Sequence, residues 1–209
     1  MDMSLDQKGK ELADYLRALP DFEIVQGRRY TDMGAIFVDA LLQGGANYDG
    51  VRDRVDIVLK DNRVNTTSGF VEMLTETPVN SLLQWDGKKP GWVENIARYF
   101  KARGVESKSD LKAWLAIPSN IMELYLEPGM GPKTVDYLKK LAGIPNVAID
   151  RHWKTCLGLA GISYGSYSEA KQIAISAAQH MGIDESTLDT SVWRHIRRSN
   201  KPSTKGCAS

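Results

Sequence analysis

Lys133 and Asp150 are the residues best placed by type and context to do chemistry in this chain. Lys133 follows Gly129-Met130-Gly131-Pro132, and Asp150 follows a stretch in which Gly143 and Pro145 break the preceding helix. A lysine amine that is partly desolvated can be neutral near pH 7 and act as a nucleophile that forms a Schiff base. A carboxylate held nearby stabilises positive charge that develops on a reacting centre. An amine and a carboxylate thus stand ready for joint chemistry, provided the fold brings them to one mouth.

The positioning elements are legible around them. Gly129 and Gly131 make a turn that bulky residues cannot, Pro132 suits the first position of a helix, and Val135, Leu138 and Leu141 continue that helix with apolar spacing. This predicts a hairpin between two short helices, over about 119–142. Unpaired N–H groups at its turn and at the following helix N-terminus grip a phosphate without reading a base. Gly129, Met130, Gly131, Lys133, Thr134 and, further on, His152 are the candidate backbone contacts. Alternatives stand beside each assignment. Lys133 is either a nucleophile or a phosphate contact. Asp150 also suits the N-cap of a helix through Arg151-His152-Trp153-Lys154, and both roles are compatible. His152 binds a phosphate, orients Asp150 or satisfies a backbone carbonyl.

Leu126-Glu127-Pro128-Gly129-Met130-Gly131-Pro132-Lys133-Thr134, followed by Val147-Ala148-Ile149-Asp150-Arg151-His152, resembles the signature of the helix-hairpin-helix DNA glycosylase superfamily, and of its endonuclease III-like branch in particular. The likeness is strong over about 126–152. It extends more faintly to Ala40-Leu41-Leu42-Gln43-Gly44-Gly45-Ala46, which resembles an early helix and lesion-side loop, and to Trp92-Val93-Glu94-Asn95-Ile96. The resemblance implies an all-α, two-lobed fold with a catalytic cleft between the lobes. One lobe is a six-helix unit over about 31–143 that contains the hairpin; the other is 1–30 joined to 144–199 and carries the aspartate loop, with a flexible tail over 200–209. It further implies base excision repair, in which the N-glycosidic bond of a damaged, mismatched or modified base flipped out of double-stranded DNA is hydrolysed. Lys133 in the family's nucleophile position adds AP-lyase activity through a Schiff base.

The chain departs from the branch in two ways. Many relatives carry four cysteines near the C-terminus for an iron–sulfur cluster, whereas this chain has only Cys156 and Cys207. The position of the glutamine that fills the vacated stack falls on Gly45, which leaves Gln43 or Asn47 as substitutes, with Tyr48 as a packing or stacking residue nearby. Leu188 to Trp193 resembles the closing helix of cluster-free members, with Trp193 as the lobe's plug or simply a core residue.

Composition bounds the rest. At 209 residues and 42% hydrophobic content the chain buries a real core. It has no run of eighteen apolar residues and a charged N-terminus, so neither a membrane span nor secretion is indicated, and a cytoplasmic, nucleoid-associated monomer is expected. No metal or other cofactor is assigned, because the cysteines and the three histidines lack ligand spacing. The net charge of +1 is uneven: 121–209 carries 11 basic against 8 acidic residues. Lys139, Lys140, Arg151, Lys154, Arg194, Arg197, Arg198, Lys201 and Lys205 are candidates to track a phosphate strand or to cover solvated helix faces.

Helical spacing recurs throughout and strand alternation is almost absent. Leu12 to Leu19 forms one stripe ended by Pro20, and Ile36 to Leu41 another ended by Gly44-Gly45. Thr66-Thr67-Ser68, Ser107 with Asp110, Ser119, and Ser166 with Glu169 read as N-terminal caps, and Gly182 as a helix stop. Besides a glycosylase with or without lyase activity, a non-enzymatic DNA-binding module and a relative acting on hypermodified bases fit the same residues.

Overall fold

A computed structural model describes residues 3–199, and within them every regular element is helical. The tail over 200–209, with Lys201, Lys205 and Cys207, lies outside the described residues. The helices are α1 (Leu5–Ala18), α2 (Met33–Leu42), α3 (Tyr48–Val58), α4 (Thr67–Glu76), α5 (Val79–Leu83), α6 (Lys89–Lys101), α7 (Lys108–Leu115), α8 (Pro118–Leu124), α9 (Pro132–Leu141), α10 (Arg151–Leu159), α11 (Tyr167–Met181) and α12 (Glu185–Ser199). A 3-10 turn, Asn62–Asn65, precedes α4.

The chain divides into two compact units, Arg28–Ile144 and the described residues on either side of it. Arg28–Ile144 holds eight α-helices rather than six. Two of them are short: α5, between Pro78 and Gln84, and α8, the first helix of the expected hairpin, which opens on Pro118. This unit wraps around α2, every residue of which is buried. Phe37 stacks on Phe100 with ring centroids 5.6 Å apart, and Trp114 meets Phe100 edge-on at 5.1 Å. Each such ring, removed from water, contributes about 2–3 kcal/mol.

The other unit packs α1 along α11, with α10 against α12. Gly9 permits the first contact, since a Cβ there would lie 2.2 Å from Ser176 Oγ. Lys8, nearly buried in the same interface, pairs with Glu169 at 2.8 Å. Trp153, buried beside Leu157, Ile173 and Val192, donates its indole N–H to Asp189 at 2.6 Å, and Asp189 also accepts from Ala148 N. Trp153 thus fills this core, while Trp193 is only half-buried.

Several caps form as their residues dictate. Thr66 Oγ1 accepts from Gly69 N, Ser107 and Asp110 make a reciprocal capping box, and Gly182 adopts φ +69° at the end of α11. Ser119 does not cap: α8 starts one residue earlier at Pro118, whose fixed φ starts the helix without a side-chain acceptor. At α11, Ser166 Oγ accepts Glu169 N, but the glutamate reaches back to Gly165 N instead of closing a box.

Candidate active site

The hairpin runs from α8 through Tyr125–Gly131 into α9. Met130 N donates to Glu127 O, and Gly129 takes φ +85°. A Cβ on Gly129 would sit 2.7 Å from the Trp92 ring and 3.2 Å from Leu41 Cδ1, so both conformation and space demand glycine. Gly131 differs: it is exposed, its φ is −73°, and nothing lies within 4 Å of a Cβ built there. The amide N–H groups of Gly131, Lys133 and Thr134 have no partner among the described residues, and Pro132 has none to offer. Three donors at the start of a ten-residue helix therefore face an open surface. Met130 is placed otherwise. Its N–H is spent inside the turn and its side chain is buried, so it anchors the hairpin.

Lys133 lies in the first turn of α9 and is half-buried. Another lysine of the same unit, Lys89, feels its charge. Lys89 Nζ donates to Leu42 O at 2.8 Å and to Gly44 O, and lies 5.5 Å over the Trp85 ring. It thereby ties the start of α6 to the end of α2 and to the glycine loop. Burial lowers the Lys89 pKa, and repulsion from Lys133 adds to the shift.

That loop holds the candidates for the vacated stack. Gln43 Nε2 is drawn back to Asp39 Oδ1 at 2.8 Å, and Asp39 Oδ2 accepts from Tyr137 OH of α9 at 3.2 Å. Asp39 is buried, and burial raises its carboxyl above the ordinary range against the opposing donations of Gln43, Tyr30 and Tyr137. Asn47 caps α3 through Asp49 N, and Tyr48 is half-buried in the first turn. Gln43 on one side and Asn47 and Tyr48 on the other thus flank the loop over 44–46, whose α2 end is held by Lys89 and the Asp39 network. Sequence reasoning passed over Asp39, Tyr137 and Lys89. Asp39 is the sole charged residue of the apolar run Met33–Leu42, which is the signal that could have marked it.

In the other unit Asp150 is the N-cap of α10. Its Oδ1 accepts from His152 N at 2.8 Å and Trp153 N at 3.2 Å, and its Oδ2 lies 2.9 Å from His152 Nδ1. The capping and orienting alternatives therefore both hold. The carboxylate keeps 20% of its side-chain surface exposed and His152 keeps 12%. Trp193 sits edge-on to the imidazole, with ring centroids 6.0 Å apart. Cys156, in the α10 core, has its thiol pushed up to about 12 by burial, which leaves it inert. Among the described residues no group of three or more His, Cys, Asp or Glu could hold a metal ion, and no helix is long and apolar enough to cross a membrane.

No family model matches the chain, and no curated protein does. Solved structures do. One is a trapped endonuclease III–DNA covalent intermediate, the estranged-adenine complex, with a TM-score of 0.65 and 16% identity, covering 99% of this chain and 94% of that one. Another is the H. pylori 3-methyladenine DNA glycosylase MagIII bound to 1,N6-ethenoadenine, with a TM-score of 0.62 and 14% identity, covering 96% of this chain and 100% of that one. The hairpin, the aspartate-capped helix and the near-complete overlap with these two structures lead to one conclusion: the chain has the all-helical fold of the helix-hairpin-helix DNA glycosylases.

Proposed function

We propose that the protein is a DNA glycosylase of base excision repair that acts on a damaged, mismatched or modified base everted from duplex DNA, with Lys133 as nucleophile and Asp150 as the stabilising carboxylate. The observation that carries this reading is the position of Lys133. It stands in the first turn of α9, beside three uncommitted hairpin N–H groups, in a chain whose fold is that of known DNA glycosylases. Phosphate held by Gly131, Lys133 and Thr134 N–H sets the sugar within reach of the Lys133 side chain.

The neutral ε-amine adds to C1′ as the N-glycosidic bond breaks, and the base leaves with the bonding electron pair and takes up a proton. Ring opening and loss of a proton from nitrogen give the Schiff base, from which abstraction of a C2′ proton expels the 3′-phosphate and nicks the strand. Asp150 opposes the positive charge that develops on the sugar, and His152 holds its second oxygen in place. That the similar endonuclease III structure is a DNA covalent intermediate supports the nucleophile role.

The same location favours a second reading. A lysine among helix N-terminal donors also suits a phosphate contact, in which case water attacks C1′ and the enzyme is monofunctional. Incubation with a panel of duplexes carrying oxidised, alkylated, deaminated, mismatched and hypermodified bases tests the proposal. The expected result is release of at least one base class, lost in Asp150→Asn. Release of no base by the parent, with duplex binding intact, would leave a non-enzymatic DNA-binding module.

A further inference from the structure

Gln43 closes α2 and is half-buried, and its amide is pinned from one end only. Nε2 donates to Asp39 Oδ1 at 2.8 Å. Asp39 also accepts from Tyr30 and, at 3.2 Å, from Tyr137 OH, so three donors converge on one buried carboxyl group. With Asp39 acting as the acceptor, the amide cannot turn over without setting oxygen against oxygen. Gln43 Oε1 therefore points away from Asp39. It takes no hydrogen bond from any described residue, and it reaches the surface.

Two relations put this carbonyl on the side of Lys133. Tyr137 stands one turn after Lys133 on the same face of α9, a helix that packs against α2. The charge of Lys133 also reaches Lys89, whose amine holds Leu42 O and Gly44 O, the carbonyls on either side of Gln43. Gln43 is thus bracketed by groups that adjoin the nucleophile proposed above.

We propose that Gln43 is a specificity-determining residue that offers Oε1 to the everted base, selecting bases whose facing edge carries an N–H donor, either an exocyclic amino group or a ring lactam N–H. Asp39 and Tyr137 are positioning residues: they touch no base and fix which end of the amide faces outward. Such a reader rejects as well as accepts, because a base without the donor leaves Oε1 stripped of water and unpaired. The inference rests on the glycosylase reading and adds to it the edge chemistry of the base.

The test is single-turnover base release by the full chain on paired duplexes that differ at one donor. Each base that the parent releases is set against a twin whose donor is replaced, such as purine for adenine, 1-methylhypoxanthine for hypoxanthine or 3-methyluracil for uracil. The ratio of the two rates is read for the parent, Gln43→Met, Gln43→Ala, Asp39→Leu and Asp39→Asn. One preparation acts on both duplexes, so the ratio does not depend on how much of a variant folds. Expected is a preference for the donor base that falls about 30-fold in both Gln43 variants and in Asp39→Leu. Asp39→Asn keeps an acceptor for Nε2 and largely retains the preference. Equal slowing on both duplexes in the Gln43 variants, the behaviour of a residue that only fills space, would overturn the inference and leave the proposed function standing. So would release confined to bases with no N–H donor, such as 1,N6-ethenoadenine. A preference kept in Asp39→Leu would strike Asp39 from the positioning role. A parent that releases no base would overturn both the inference and the reading beneath it.

Discussion

Asp150 and His152 are joined twice, by the backbone N–H of His152 to Oδ1 at 2.8 Å and by its Nδ1 to Oδ2 at 2.9 Å. One carboxylate thereby starts α10 and stays oriented by the helix it starts. The roles separate on substitution. Asparagine caps nearly as well as aspartate, so Asp150→Asn leaves the urea midpoint within about 0.5 kcal/mol of the parent. It removes the negative charge, so single-turnover base release falls by at least about 100-fold. A parallel loss of stability and rate would reduce Asp150 to a cap.

The two hairpin glycines should fail in different ways. Gly129→Ala forces a Cβ into Trp92 at a φ of +85° and should cost about 3 kcal/mol, read by chemical denaturation. Gly131→Ala meets open space at φ −73° and should fold within about 0.5 kcal/mol of the parent. Its methyl group nevertheless stands where a phosphate must approach the N–H groups, so duplex affinity drops. Equal stability of the two variants contradicts the hairpin geometry described here.

Asp39 gives a pH signature. Burial raises its carboxyl above the ordinary 3.8, so folding favours its neutral form. That contribution is complete below the unfolded value and is lost as pH rises through the folded one. Asp39→Asn removes the loss, and its denaturation midpoint should gain on the parent's as pH climbs from about 4. Midpoints that run parallel across the range would show Asp39 to be ionised at no cost.

Asp189 serves Trp153 Nε1 and Ala148 N together. Asp189→Ala strands two buried donors and should cost roughly 2 kcal/mol, with Asp189→Asn recovering much of it. Thermal melts of the two variants check this, and an alanine variant as stable as the parent would mean that water replaces the carboxylate.

What could be read from sequence was local. The Ser107–Asp110 box, the Thr66 cap and the Gly182 stop each depend on residues within one turn, so their types sufficed. The Gly129-Met130-Gly131-Pro132-Lys133 hairpin was legible for the same reason. Ser119 misled because Pro118, a competing starter one residue earlier, sets the boundary. The Asp39–Tyr137 bond joins residues 98 positions apart, and Trp153–Asp189 joins residues 36 apart. No periodicity encodes such pairs. The identity of the core tryptophan followed from that second bond, which is why Trp153 and not Trp193 lies in the core.

Borohydride trapping on abasic-site DNA addresses the nucleophile directly. The parent should be captured as a covalent protein–DNA adduct, and Lys133→Ala should give none while still binding the duplex. A parent that releases base yet forms no adduct, or a Lys133→Ala variant trapped as readily as the parent, would contradict the assignment of Lys133.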